Sequence, residues 1–171
     1  MNFKYVGKLD VSSISDEVKN LTDWNEYEFR QKTYVPHKKT KTIPLIYDED
    51  FRHIHPTYWK NYHKYKKYID MFTNFFNKNL GKGYIIRAIL VKLLAKSKIP
   101  KHIDSGYSLS HATRIHIPVI TNDQVSFTVG EETKILRKGE MWQINNSNKI
   151  HSVKNDSNED RIHLIIDWVK N

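Results

Sequence analysis

The chain contains no cysteine in its 171 residues. That absence excludes a disulfide framework, a thiolate zinc site and a cysteine nucleophile, and it leaves any metal to His and carboxylate ligands. Nine His and nineteen Asp plus Glu are available for that purpose. No stretch approaches the roughly twenty consecutive apolar residues of a membrane helix, and the opening MNFKYVGKLD lacks the apolar stretch of a secretory signal. A soluble, cytoplasmic protein with no membrane partner is the expectation. The length suits one ordinary domain with a real core and one site.

Charge is present in excess of one sign, formally +9 at pH 7, but unevenly. Residues 1–101 carry 20 Lys plus Arg against 10 acids, whereas residues 102–171 carry 8 against 9. A basic front and a near-neutral back, both with apolar periodicity, read as two parts of a single domain over 1–171: a basic helical support region over 1–83 and a core over 84–171 that holds the site.

In the front part, FKYVGKLDV alternates as a short strand. Ser13 or Ser15 is placed to cap a helix within 15–29, with Asp16 and Glu17 in its first turn. The β-branched, proline-interrupted segment 33–46 reads as an edge strand. Over 57–80, Tyr58, Tyr62, Tyr65, Ile69, Phe72 and Phe76 recur at helical spacing, with Lys60, Lys64, Lys67 and Lys78 mostly on the other side and Gly81 at the end. Aromatics interleaved with lysines could stack bases and bind phosphates, but helical spacing favours an aromatic core stripe backed by a solvated basic face.

From Tyr84 the period changes from 3.6 to 2. Short runs such as TRIHIPVI, QVSFTV, MWQIN and RIHLIIDW are separated by turn residues, too closely for parallel crossovers. The fold class expected is mainly β: an antiparallel jelly roll, or double-stranded β-helix of cupin-like type, backed by N-terminal helices. In the last strand Ile162, Leu164, Ile166 and Trp168 share one face, and Arg161, His163, Ile165 and Asp167 the other. TRIHIPVI repeats the pattern, with Ile115, Ile117 and Val119 opposite Arg114 and His116. These polar rows either face solvent or point into one barrel, where they make a cationic pocket suited to a small anion.

His102 and Asp104, two residues apart in an extended segment, share a face and can chelate one cation. His151 opens a later strand, with Arg161 ten residues beyond. Two imidazoles and one carboxylate leave open positions on an octahedral ion, which suits Fe(II), and a nearby arginine clamps a carboxylate. His53 and His55, beside Asp48 and Asp50, have no third ligand placed by any pattern and read as loop residues near the pocket mouth. Tyr107, Ser108 and His111 fall where a substrate-contacting loop would lie. Asp167 and His163 either contact the ligands of the site or pair with each other.

Through LLAKSKIPKHID, RIHIPV, VSFTVGEETKILRKGEMWQINNSNKIHSVKN and RIHLIIDW, from about Arg87 to Trp168, the chain resembles the aspartyl/asparaginyl β-hydroxylase group of Fe(II)- and 2-oxoglutarate-dependent dioxygenases. The resemblance implies that His102, Asp104 and His151 are the iron ligands and the catalytic centre. It implies that Arg161 holds the distal carboxylate of 2-oxoglutarate, with Arg114 and His116 near its metal-bound end. It also implies consumption of O2, release of succinate and CO2, and hydroxylation of an unactivated C–H bond in an amino acid, side chain or similar small substrate. Separately, the basic front half could attract an acidic amino acid, another anionic metabolite or a nucleic acid. Asp104 places the chain nearer the bacterial-type members than the aspartyl hydroxylases that lack this carboxylate. Where those carry a serine before the first ligand, this chain has Lys92, and that contact is not transferred. Two other readings compete: a jelly-roll module that binds nucleic acid through the lysine-aromatic helix, and a cupin-like metal enzyme of redox-neutral chemistry.

Overall fold

Period-two alternation in the back half produces the strands that form two antiparallel sheets in the computed structural model, which describes residues 1–171. In chain order the elements are β1 (Phe3–Lys8), α1 (Ser12–Lys19), α2 (Phe29–Thr33), a 3-10 turn at Val35–His37, β2 (Thr40–Ile46), α3 (Tyr62–Asn79), β3 (Gly83–Leu93), β4 (Ser97–His102), α4 (Tyr107–His111), β5 (Thr113–Ile120), β6 (Val125–Val129), β7 (Glu132–Lys134), β8 (Glu140–Ile144), β9 (His151–Asn155) and β10 (Arg161–Lys170). The larger sheet runs β1-β8-β5-β10-β3-β2 and the smaller β4-β9-β6-β7. They form the jelly roll, with α1 and α3 on the outer face of the larger sheet.

That outer face holds the main core, a cluster of 23 buried residues joining Ile14 and Val18 of α1 and Tyr65, Ile69, Phe72 and Phe76 of α3 to Ile115, Ile117, Ile162, Leu164, Ile166 and Trp168. Between the sheets a smaller apolar cluster around Leu93, Phe127, Val129 and Val153 fills one end. The other end is polar. Gly139 makes the tight approach between β8 and the chain leaving β1: its φ is +77°, and an added Cβ would run into the Leu9 carbonyl.

Several local expectations are corrected. The first helix spans Ser12–Lys19 rather than lying within 15–29, and neither Ser13 nor Ser15 caps it. Asp10 accepts hydrogen bonds from the Ser12 amide and hydroxyl, which starts the helix earlier, and the polar residues after Lys19 supply no apolar stripe to extend it. Consequently Asp16 and Glu17 lie outside its first turn. The long helix begins at Tyr62, not after Pro56, because residues 57–59 spend their backbone groups on β2: the Tyr47 amide donates to the Thr57 carbonyl and the Trp59 amide to the Leu45 carbonyl. Tyr58 therefore lies outside the aromatic stripe and is exposed. β4 has almost no alternation to announce it. Lys98, Pro100 and Lys101 sit on an edge strand where a missing amide is tolerated, and pairing with β9 supplies its order.

The front half provides more than helices, since β1 and β2 are the two edges of the larger sheet. Along α3 Tyr65, Tyr68, Phe72 and Phe76 are buried, while Lys66 and Lys67, and Lys60 just before the helix, pair with Asp70, Glu17 and Glu26. The stacking surface that a nucleic-acid module would use is thus turned into the core. No helix is long and apolar enough to cross a membrane.

Candidate metal centre and cosubstrate pocket

Strand register brings the first three polar residues together. His102 ends β4 directly opposite His151, which begins β9, and their rings lie 4.1 Å apart between centroids. Asp104 follows two residues later, anchored by its amide to the Asn146 carbonyl at 3.0 Å. Its carboxylate lies 3.4 Å from His102 Nε2 and 3.8 Å from His151 Nε2, so one ligand atom from each residue falls within 4.8 Å of the others. His102 Nδ1 is 2.8 Å from the Pro100 carbonyl, and His151 Nδ1 faces the Lys149 carbonyl at 3.4 Å. A carbonyl acceptor fixes the proton on Nδ1 and leaves the Nε2 lone pair for a metal. Burial lowers the His151 pKa to about 4, which keeps the ring neutral and ligating at pH 7. This donor set, two imidazoles and one carboxylate, fits Fe(II).

Asp104 is held ionised by its surroundings. Burial pushes its pKa up, but Arg114, His102, His151 and Asn146 together outweigh that and leave it well below the usual carboxylate range. Arg114 and the Asn146 amide, at 2.8 Å, both grip Oδ2. Oδ1 faces His102 Nε2, while Oδ2 is the oxygen 3.8 Å from His151 Nε2.

Asp167 sits in register between Arg87 of β3 and Arg114 of β5. It accepts from Arg87 Nη1 at 2.6 Å, and from Arg114 Nε and Nη2 at 2.8 Å each. The two guanidiniums counter the effect of burial and hold its carboxyl below the usual range. Asp167 and His163 therefore do not pair with each other: His163 Nδ1 lies 2.7 Å from Arg161 Nη2.

Arg161 is 1% exposed and has no carboxylate partner. Its Nε, the His163 Nε2 and the His116 Nδ1 are all buried without a hydrogen-bond partner. Burying an uncompensated guanidinium is costly, and burial brings the Arg161 pKa down to about 9. The same burial, with Arg161 next in effect, holds His116 and His163 neutral. Such a set of orphaned groups matches a missing anion.

These residues line two neighbouring spaces that share Arg30, His37, His102, Asp104 and Arg114. An inner one of about 30 Å³ lies between His102, Asp104 and His151 at one end and Arg161 at the other, walled by Val91, Ile99, Val153 and Ile165. An outer one of about 240 Å³ opens from the same Asp104 and His102 toward Arg30, Tyr34, His37, Tyr47 and Phe51. All six residues singled out from the sequence, His102, Asp104, His151, Arg161, Arg114 and His116, line the inner space. Lys92 does not: it lies above the Trp24 ring, 4.5 Å from its centroid, on the other face of the sheet.

Of the other polar residues, Ser108 is buried on Arg87, while His111 and Tyr107 stack on each other near the surface, 4.0 Å between centroids. His53 lies 3.6 Å from Asp48, and neither it nor His55 lines the pocket. Sequence reasoning passed over Asn146, Arg87, Arg30 and His37. Arg87 alone had a signal, because it shares the parity of Ile89 and Val91 on the inward face of β3.

Comparison with known proteins agrees with the geometry. No protein of curated function matches the sequence. Among solved structures, an oxidoreductase of the 2OG-Fe(II) oxygenase family from Burkholderia pseudomallei is 15% identical, with a TM-score of 0.61 over 77% of this chain and 67% of that one. A prolyl-4-hydroxylase from Pseudomonas putida is 10% identical, with a TM-score of 0.58 over 99% of this chain and 93% of that one. At such identities the likeness speaks for the fold. The model of the aspartyl/asparaginyl beta-hydroxylase family matches residues 8–171, nearly the whole chain, and the chain belongs to that hydroxylase family.

Proposed function

We propose that the protein is an Fe(II)- and 2-oxoglutarate-dependent dioxygenase that hydroxylates an unactivated C–H bond of an amino acid, an amino-acid side chain or a similar small molecule, with release of succinate and CO2. The observation that supports this reading above all is the pairing of two features in one enclosed space: a convergent His102, Asp104 and His151, and a buried Arg161 with no counter-charge. Bound iron supplies the means to activate O2 and oxidise an unactivated carbon.

His102 and His151 offer Nε2, and Asp104 offers Oδ1 while Arg114 and Asn146 keep its other oxygen fixed. Arg161 takes the carboxylate of 2-oxoglutarate farther from the metal in a charge-assisted pair, which relieves its own unbalanced burial. His116, at the wall between Arg161 and the ligands, and the N–H groups of Arg114 not spent on Asp104 and Asp167, face the end nearer the metal. Val91, Ile99, Val153 and Ile165 keep water from the reacting centre. No side chain is needed as a general base toward the carbon. The substrate enters by the outer space.

Anaerobic addition of 2-oxoglutarate to the protein with Fe(II) should give a weak visible charge-transfer absorption. Absence of that band, together with absence of succinate under air, would sink the proposal.

A further inference from the structure

The three residues of the metal centre are not held alike. His102 and His151 stand opposite each other on paired strands, so the register of β4 and β9 places both. Asp104 lies two residues past the end of β4, and its amide is tied to the Asn146 carbonyl, itself in the segment between β8 and β9. A ligand carried by an irregular segment reaches a fixed geometry only when its side chain is held from a rigid element.

The larger sheet supplies that hold. Arg87, Asp167 and Arg114 stand at one register level on the neighbouring strands β3, β10 and β5. Asp167 Oδ1 accepts from Arg114 Nε and Oδ2 from Arg114 Nη2, a two-point contact that leaves Nη1 directed at Asp104 Oδ2. Arg87 completes the row. Its Nη1 donates to Asp167 Oδ2 at 2.6 Å and its Nη2 to the Ser108 hydroxyl at 3.3 Å, while its guanidinium carbon lies 4.2 Å from the Phe51 ring centroid. Neither Arg87 nor Asp167 lines the inner space, so both act on the centre only through Arg114.

Stability gives little reason for three charges at this depth, since a buried ion pair is about matched by apolar side chains of similar volume. An apolar row could not orient a guanidinium. We propose that Asp167 and Arg87 are positioning residues of the metal centre, which set the Arg114 fork so that it grips one oxygen of Asp104 and presents this ligand in a single orientation. The inference rests on the proposed dioxygenase reading and extends it to two residues outside the metal-binding trio.

Position and charge make opposite predictions at Arg87. Asp167→Asn leaves the row more positive, and Arg87→Met leaves it less so. If the row acted on a divalent cation only through its field, the first substitution would weaken metal binding and the second would strengthen it. If it acts by holding Arg114, both weaken it.

The probe is Co(II), whose visible absorption reports its ligands, titrated into the metal-free protein and followed by calorimetry and spectroscopy. Arg87→Met and Asp167→Asn should each bind Co(II) about ten- to a hundredfold more weakly than the wild type, the loss expected when the support of a metal ligand is removed, with a shift of the visible bands. Leu164→Ala, destabilised on the opposite face of the same sheet, should bind Co(II) as the wild type does at a temperature where each protein is folded. Arg87→Met leaves both oxygens of Asp167 on Arg114, so it decides the question even where Asp167→Asn fails to fold. Wild-type affinity and bands in Arg87→Met, tighter binding by that variant, or equal weakening in Leu164→Ala would each overturn the proposal. Its failure is separable from failure of the dioxygenase reading. In the first case the Fe(II)-loaded wild type forms succinate and Arg87→Met binds Co(II) as the wild type does; in the second the variants lose Co(II) affinity but the wild type forms no succinate.

Discussion

The two faces of β10 are equally buried and energetically opposite. On the outer face Ile162, Leu164, Ile166 and Trp168 are 0–3% exposed and lie in the main core, where removal from water is itself the stabilising event. On the inner face Arg161, His163 and Asp167 are 0–1% exposed, and their burial costs free energy unless each charge finds a partner. Asp167 has two. Arg161 has none. The fold thus uses one side of a strand to offset a site that is unfavourable until a ligand fills it.

Substitutions on the two faces should separate these effects. The largest loss is expected from Asp167→Asn, which leaves Arg87 and Arg114 buried against a neutral group: about 3–5 kcal/mol of unfolding free energy by urea titration. Leu164→Ala on the opposite face should cost about 2–5 kcal/mol through the cavity it leaves, with 2-oxoglutarate binding retained in whatever fraction is folded. Arg161→Met should move stability the other way, leaving the unliganded protein as stable as wild type or more so, while abolishing the rise in melting temperature that 2-oxoglutarate gives the wild type. Equal melting shifts in wild type and Arg161→Met would erase the distinction between the faces.

Acid provides a graded version of the same contrast. The folded-state pKa of Asp167 is depressed, so the unfolded chain holds that proton more tightly. Its contribution is complete above the ordinary carboxylate value of 3.8 and is lost as pH falls toward the lower folded value. Stability of the wild type should fall across that window more steeply than that of Asp167→Asn. The smallest effect is expected on the solvent side of α3: Lys67→Gln removes an ion pair whose lysine is 64% exposed and should leave the urea midpoint within error of the wild type.

The period-two alternation of TRIHIPVI and RIHLIIDW made the jelly roll and the inward row of Arg114, His116, Arg161 and His163 legible, because alternation assigns a face to every side chain, whereas His102, Asp104 and His151 were singled out by their spacing and by the family resemblance. What alternation cannot give is which residues lie opposite. The pairing of Asp167 with Arg87 and Arg114 depends on register between strands distant in sequence. Asn146 and His37 lie on irregular segments with no period to read, and β4 is ordered by its neighbour rather than by its own composition. Arg30 hid among surface cations: the surplus charge of the front half mixes exposed lysines paired along α3 with a buried arginine at the pocket, and a charge count does not distinguish them.

The most direct measurement is succinate formed from 2-oxoglutarate under air by the Fe(II)-loaded protein, compared between wild type and a folded His102→Ala variant. Succinate from the wild type and its loss in the variant is the expected result. Equal yields from both, or none from a wild type shown to hold iron, would contradict the assignment of His102, Asp104 and His151 to a dioxygenase centre.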